Sequence, residues 1–274
     1  MISEEAIKLL QQAESIKQAD ASVSTAFSGE GLLALPQEFT LHDIEGKLPQ
    51  RRRQRGTMST SCIDSFCAYT EAHAENGATV FVGDDMSARA VLNLGTQEAP
   101  GHGDNQGVLA LVKSAAFDAL LGVNGKPLNQ KEAAEFLEDW NDCVTFFQGA
   151  DKLEPGKAIA AVRKITVESA RKLESTTQNF SDTASAFEQV TASSVEPLPE
   201  LVYFKTIPFE GLPERTFVLR VGILTGDDKP RLVLRMQRLQ MHVQEMANEL
   251  AHIITQELGN EHITVVRGSF RRAE

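Results

Sequence analysis

Four arginines within five consecutive positions are the strongest candidate for anion binding in this chain. A stretch rich in hydroxyl side chains follows them. The residues concerned are Arg51, Arg52, Arg53, Arg55, Thr57, Ser59 and Thr60. A guanidinium group is planar and binds phosphate or carboxylate oxygens through two parallel hydrogen bonds. These residue types therefore predict a site for an anion or for an acidic partner.

The elements expected to position this block are a turn and the helix start after it. Ser61 and Asp64 have the spacing of a capping box, which predicts a helix running to about Ala74. Free N–H groups at a helix start bind anions and would complete the site. The pattern leaves four targets open: nucleic-acid phosphate, a nucleotide, an acidic surface on another copy, and carboxylates of the same chain.

A helix predicted to start at Asn129 offers an acidic surface to such arginines. Apolar residues recur on one side at helical spacing as far as Val144, and Glu132 is placed to complete a capping box with Asn129. The opposite side carries Glu132, Glu135, Asp139 and Asp142. This side is either a partner face for the arginines of another copy or an ordinary solvated helix face.

The loop around residue 103 combines side chains that bind metals or share protons. His102, Asp104 and Asn105 lie among glycines, and imidazole and carboxylate groups both coordinate metal ions. Two ligands do not make a metal site, so the alternative is a turn braced by its own side chains. The pairs Asp84-Asp85 and Asp227-Asp228 fall at predicted hairpin tips. Paired carboxylates occur in two-metal nucleases, but Asp is also a common turn residue.

Composition limits the classes of function. The chain has 274 residues and a formal net charge of -11, which opposes broad nucleic-acid binding but permits one local basic site. The three cysteines have neither metal-ligand nor redox spacing, and Cys62 and Cys67 are expected in the core. With no apolar leader and no apolar run of membrane-spanning length, the sequence predicts a cytoplasmic protein that does not bind membranes.

Familiar catalytic motifs are absent from the sequence. Phosphate-binding loop, dinucleotide-binding, serine-hydrolase and zinc-protease patterns do not occur, so no catalytic residue, metal or cofactor is predicted. Base stacking requires aromatic residues interleaved with basic ones. Only Tyr203-Phe204-Lys205 and Phe270-Arg271-Arg272 combine the two types over a short span.

Hydrophobic periodicity predicts an α+β fold with antiparallel hairpins, helices packed on one face of the sheet and a long C-terminal helix. Strands are predicted at 39–44, 78–82, 88–94, 107–112, 158–167, 216–224, 231–236 and 262–266, and helices at 1–18, 61–74, from 129 and from 239 to 258. Residues 1–31 are predicted to be a detachable helix, capped by Ser3, with a linker from Ala21. Residues 32–274 are predicted to form the α+β domain, with a break near 174–200 that leaves two subdomains open.

Several segments together carry a family resemblance. They are Leu35-Pro36, Leu41 to Glu45, Leu48-Pro49 with the arginines, Asn93-Leu94-Gly95, Ala99 to Asn105, Glu135 to Trp140 and Phe209 to Pro213. The chain resembles the YfdQ family (DUF2303) of bacteriophage and prophage proteins over about residues 32–258. The resemblance implies a phage accessory protein that acts in DNA metabolism or host interference, and it assigns no reaction and no residue role.

The sequence favours a non-enzymatic protein that self-assembles into a homo-oligomer through its arginine-rich contact site. One alternative is a nucleic-acid-binding protein in phage recombination or replication. Another is a metal-dependent hydrolase that uses His102 and Asp104, and a host protein is a further candidate partner.

Overall fold

Two β-sheets with helices packed against them form an α+β protein in this computed structural model, which describes residues 4–25, 42, 45–165, 198–224, 230–259 and 262–271. The helices are α1 (Glu4–Thr25), α2 (Ile63–His73), α3 (Ala115–Val123), α4 (Gln130–Asp139), α5 (Pro155–Arg163) and α6 (Leu239–Glu257). The strands are β1 (Gly56–Thr60), β2 (Thr79–Val82), β3 (Ser87–Val91), β4 (Asn105–Ala110), β5 (Pro127–Leu128), β6 (Val144–Gln148), β7 (Asp151–Leu153), β8 (Leu201–Thr206), β9 (Arg215–Leu224), β10 (Arg231–Met236) and β11 (Thr264–Arg267).

The chain divides into two compact units, Met1–Gln54 and Arg55–Glu274. Helix α1 belongs to the first unit, and both sheets belong to the second. The predicted division into residues 1–31 and 32–274 stays a prediction. No helix in the described part of the chain combines the length and apolarity needed to cross a membrane.

The five-stranded sheet has the order β1-β4-β3-β2-β11. Its three central strands are antiparallel, while each edge strand pairs in parallel with its neighbour. Helix α2 packs on this sheet through Phe66, which is fully buried. A methyl group at Gly107 would lie 3.4 Å from the Phe66 ring, which is van der Waals contact, so the ring packs directly over this residue.

The six-stranded sheet has the order β5-β10-β9-β8-β6-β7, and all of its pairs are antiparallel. Successive side chains of a strand point to opposite faces. In β8 the side chains of Val202, Phe204 and Thr206 are buried, whereas Tyr203 and Lys205 are exposed. One face of this sheet therefore faces the core and the other is open.

Aromatic packing covers the core face of the six-stranded sheet. The Phe204 ring lies 6.1 Å from Phe136 and 6.4 Å from Trp140, measured between ring centroids. The Phe117 ring of α3 lies 5.0 Å from Phe217. Buried aromatic side chains of this size contribute most of the hydrophobic stabilisation of a core.

The elements with complete local signals are confirmed. The hairpins β2–β3 and β9–β10, helix α2 and the long helix α6 all form at the predicted places. The capping box predicted for Ser61 and Asp64 is wrong, because Cys62 is the N-cap of α2 and no side chain caps it. Asn129 and Glu132 form the predicted capping box at the start of α4. The α+β class is likewise confirmed.

Several local predictions are wrong. Residues 56–60 form β1 and not a helix start, because they pair with β4. Residues 158–163 belong to α5, whose first residue, Pro155, has the backbone angle that a helix start requires. Residues 21–25 continue α1 and are not a linker. The helical stripe predicted to reach Val144 stops earlier, because α4 ends at Asp139 and Val144 is the first residue of β6.

Some predictions lie outside the described residues. They concern Ser3, the rest of the linker, residues 174–197 of the predicted break and the pair Asp227-Asp228. Of the strand predicted at 39–44, only His42 is described, and it is not in a strand.

The two cysteines of the α2 region differ in environment, contrary to the prediction that both are core residues. Cys62 is the exposed N-cap of α2, and hydrogen bonding to Ser65 lowers the pKa of its thiol. Cys67 is buried, and desolvation raises the pKa of its thiol to about 12. Only Cys67 is therefore a core residue.

Neighbouring positions of β8 provide a test of the two faces. We expect Phe204→Ala to lower the free energy of unfolding by about 3–5 kcal/mol, because it leaves a cavity in the core. Tyr203→Ala on the open face should cost about 1 kcal/mol or less. Urea denaturation followed by circular dichroism measures both. Equal losses would contradict the assignment of the faces.

Candidate nucleic-acid interface

The outward side of the six-stranded sheet, which we call the open face, is built by the two-residue alternation of strands β6 to β10. Every side chain at these positions is partly or fully exposed. The positions are Thr145, Phe147, Lys152, Leu201, Tyr203, Lys205, Thr216, Val218, Arg220, Gly222, Leu224, Arg231, Val233 and Arg235.

The charged side chains at the open-face positions are all basic. The cations are Lys152, Lys205, Arg220, Arg231 and Arg235, and no Asp or Glu occupies any of its positions in strands β6 to β10. The chain as a whole has 38 acidic and 27 basic residues. Glu214, which precedes β9, pairs with Lys205 at the edge of the face, so the local departure from the composition is an excess of basic side chains. It produces a positive potential that attracts anions.

Strand register places a continuous row of side chains across the open face. Lys152 is opposite Phe147, Phe147 is opposite Leu201, Leu201 is opposite Arg220, and Arg220 is opposite Arg235. Adjacent strands are spaced by about 4.8 Å, so the five strands of this row span about 19 Å. The row has cations at both ends and an aromatic ring between them.

Arg220 and Arg235 are like charges at directly opposed positions of β9 and β10. Such a pair destabilises a sheet, since the two groups repel at close range. Within the described residues, neither side chain has an ion pair or hydrogen bond that would offset this repulsion. An anion bound between them would do so.

The aromatic ring of this row has a second ring next to it. The centroids of Phe147 and Tyr203 are 4.7 Å apart, and the ring planes meet at 44°. Tyr203 keeps 36% of its surface exposed. The pair offers an apolar platform that is reachable from solvent and has arginines on the neighbouring strands.

The residues of the predicted arginine site do not lie at a helix start, which is where they were expected. Arg51, Arg52 and Arg53 belong to the first unit, and Arg55 belongs to the second. Thr57, Ser59 and Thr60 lie on β1 and not at a helix start. The Thr60 hydroxyl accepts a hydrogen bond from the Cys62 backbone at 3.1 Å. Anion binding by this block stays a prediction.

The predicted acidic partner face is exposed, but two of its carboxylates have local partners. Glu132 accepts a hydrogen bond from the Asn129 backbone at 2.9 Å, and Glu135 lies 3.6 Å from the Lys131 ammonium group. Asp139 is at the end of α4, and Asp142 is in the short 3₁₀ turn that follows. The pairing of this acidic face with arginines of another copy stays a prediction.

The predicted loop site is held together by an asparagine from outside the motif. The Asn93 amide donates to the Asp104 carboxylate at 2.9 Å, and its oxygen accepts from the Asn105 backbone at 3.0 Å. His102 is exposed. No group of three potential metal ligands occurs within the described residues. The bonds of Asp104 match the alternative in which side chains brace the turn.

The other acidic and aromatic candidates have local structural roles. Asp85 accepts a 2.6 Å hydrogen bond from the Ser87 hydroxyl, and Asp84 forms an ion pair with Arg267. Phe270 stacks on Phe81, with 5.4 Å between ring centroids. Phe204 of the Tyr203-Phe204-Lys205 segment is buried, so only its two neighbours reach the open face.

A second charged cluster joins β9 to α6. Arg215 pairs with Glu245 and Glu249, and one guanidinium nitrogen lies 3.2 Å from the His242 ring. Burial, together with the Arg215 charge, lowers the pKa of His242, which favours the neutral ring. Because this arginine is largely buried and already has two carboxylate partners, the cluster fastens the helix to the sheet.

Sequence reasoning missed the central residues of the open face. Arg220 and Arg235 lie on the hairpin β9–β10, whose two strands were correctly predicted. Pairing the residues of these strands outward from the turn would have placed the two arginines opposite each other. Phe147 and Lys152 belong to the hairpin β6–β7, which encloses Gly149 and was not predicted. The alternation of apolar and polar residues along β8 was the signal that would have placed Tyr203 on the open face.

The fold and its open face define an α+β protein with a basic, aromatic sheet surface. A family model described as "Uncharacterized conserved protein (DUF2303)" matches residues 3–270. The chain belongs to the DUF2303 family. No curated protein and no solved structure matches it.

The opposed arginines lead to a prediction about stability. Replacing one of them, Arg235→Thr, should raise the free energy of unfolding by about 0.5 kcal/mol in low salt, because it removes the repulsion and places a good strand former in β10. The gain should shrink as salt screens the pair. Lys152→Thr, which removes a cation opposite Phe147 and not opposite another cation, is the control. Thermal unfolding at two salt concentrations measures both, and a loss of stability in Arg235→Thr would contradict the repulsion.

Proposed function

We propose that this protein binds nucleic acid through the open face of its six-stranded sheet and has no catalytic role. The observation that carries the proposal is the opposed pair Arg220 and Arg235 on a face whose strand positions hold basic and no acidic side chains. The phosphate backbone supplies most of the affinity in such complexes, and arginine is well suited to bind it. Phosphates between the two guanidinium groups would offset their repulsion.

The net charge of the chain supports a confined binding surface. A formal charge of -11 makes most of the surface repel phosphate, so a bound nucleic acid would be confined to the basic open face. The family resemblance supports a phage or prophage setting, in which recombination or replication exposes strands of nucleic acid. The arginine block at 51–55 is proposed as an additional contact for phosphate or for an acidic surface of another copy.

Removing both opposed arginines tests this function. Each phosphate contact to a single strand contributes about 0.7 to the slope of log affinity against log salt. We expect Arg220→Ala with Arg235→Ala to reduce the slope by about 1.4, which is about a 25-fold loss of affinity at 0.1 M salt. Fluorescence anisotropy with a labelled strand of about 20 nucleotides measures both quantities.

The matched control removes the same charge from a helix. Arg163 and Lys157 lie on α5 and pair with Glu138 and Glu154. Lys157→Ala with Arg163→Ala should leave the affinity and the salt slope unchanged. Equal losses in the two double variants would mean that net charge alone governs binding, and absence of binding by the native protein would end the proposal.

A second proposed property is self-association through α1. Leu9 and Ile16 keep 66% and 59% of their surface exposed. In the sequence they belong to the series Ile2, Leu9, Ile16 and Val23, which has a period of seven, with Ala6 and Ala13 between its members. This is the spacing of a coiled-coil seam, and a second copy of α1 carries the same seam. A homo-oligomer assembled through paired α1 helices accounts for the exposed apolar side chains.

Substitution on the seam tests the self-association. We expect Leu9→Ser with Ile16→Ser to convert the oligomer into a monomer of 30.0 kDa, because it removes the apolar contacts between the helices. Light scattering coupled to size exclusion measures the mass. Gln11→Ser with Gln18→Ser, on the opposite side of α1, should leave the oligomer intact. A native protein that is monomeric at micromolar concentration would refute the idea.

A further inference from the structure

The open face has a feature that phosphate binding alone does not require. Phe147 and Tyr203 bring two aromatic rings together on the solvent side of the sheet, on adjacent strands β6 and β8. The backbone of a duplex offers these rings no apolar partner, since its bases are stacked inside the helix. A single strand has free base faces, which stack on aromatic side chains.

Resting on the proposed function, we propose that the open face is specific for single-stranded nucleic acid and that Phe147 and Tyr203 form the stacking platform for its bases. Register determines the arrangement. Phe147 is opposite Leu201, which is in turn opposite Arg220, so Arg220 lies on the strand next to that of Tyr203 and Arg235 lies one strand further away. Lys152 is opposite Phe147 on the other side. Bases on the platform can therefore have their phosphates at cations on both sides.

The surroundings of the platform favour stacking over base-specific hydrogen bonds. Leu201, Val218 and Val233 are the other apolar side chains near the row, and each is partly exposed. The open-face positions include no Asn, Gln, Asp or Glu, which are the side chains that recognise the edges of adenine and cytosine. Every base has an aromatic face, so such a platform accepts many sequences. The face fits a single strand of mixed sequence with little base preference.

The test separates stacking from phosphate binding by their different salt dependence. Phe147→Ala with Tyr203→Ala should weaken binding to a single strand of about 20 nucleotides by at least about fivefold, because base stacking is lost. The salt slope should stay the same, since aromatic rings release no counterions. Tyr203→Phe retains the ring and should bind like the native protein. A duplex of the same sequence should bind more weakly than the single strand to the native protein and should be unaffected by the double variant.

The control removes the aromatic pair of the other sheet. Phe81→Ala with Phe270→Ala should leave single-strand binding unchanged, and circular dichroism verifies the fold of each variant. If the native protein binds duplex and single strand equally, or if Phe147→Ala with Tyr203→Ala binds like the native protein, stacking is refuted while the proposed phosphate contact stands. If neither probe binds to the native protein, both the stacking and the proposed function are refuted.

Discussion

The alternation of side chains across the six-stranded sheet is the constraint on which the rest of the molecule depends. Each strand contributes one set of residues to the aromatic core and the intervening set to the open face. Phe204 is in the core because the Phe136 and Trp140 rings cover it, and this fixes Tyr203 on the outside. A slip of one residue in register would bury charges and expose aromatic rings. Core packing therefore holds the positions of the basic side chains.

The open face combines a stability cost with the proposed binding of an external anion. A pair of opposed arginines lowers the stability of β9 and β10, and the chain contains enough carboxylates to have placed one beside them. The Arg215 cluster shows the contrasting arrangement, in which a largely buried arginine is matched by two glutamates. The difference between these two arginine environments distinguishes a structural ion pair from a surface suited to an external anion. Binding sites are commonly less stable than the scaffold that supports them.

The sequence predicted those elements whose signals are local. The capping box at Asn129 and Glu132, the hairpin β9–β10 and the periodic stripe of α6 were all readable from neighbouring residues. Strand β1 was not, because its partner β4 lies far along the chain and its own residues resemble a capped helix start. The segment from residue 158 was misread because short apolar runs fit a helix or a strand, and Pro155 was the overlooked helix signal.

The candidate site was less predictable than the fold for a related reason. Arginines that are consecutive in sequence attract notice, whereas those of the open face are brought together from β9 and β10 by pairing. Phe147 and Tyr203 are distant in sequence and adjacent only because β6 pairs with β8. Ultraviolet cross-linking to an oligothymidine strand, followed by mass spectrometry, tests the central claim most directly. The account predicts adducts on Phe147 or Tyr203, and adducts confined to residues 51–55 or to Phe270 would contradict it.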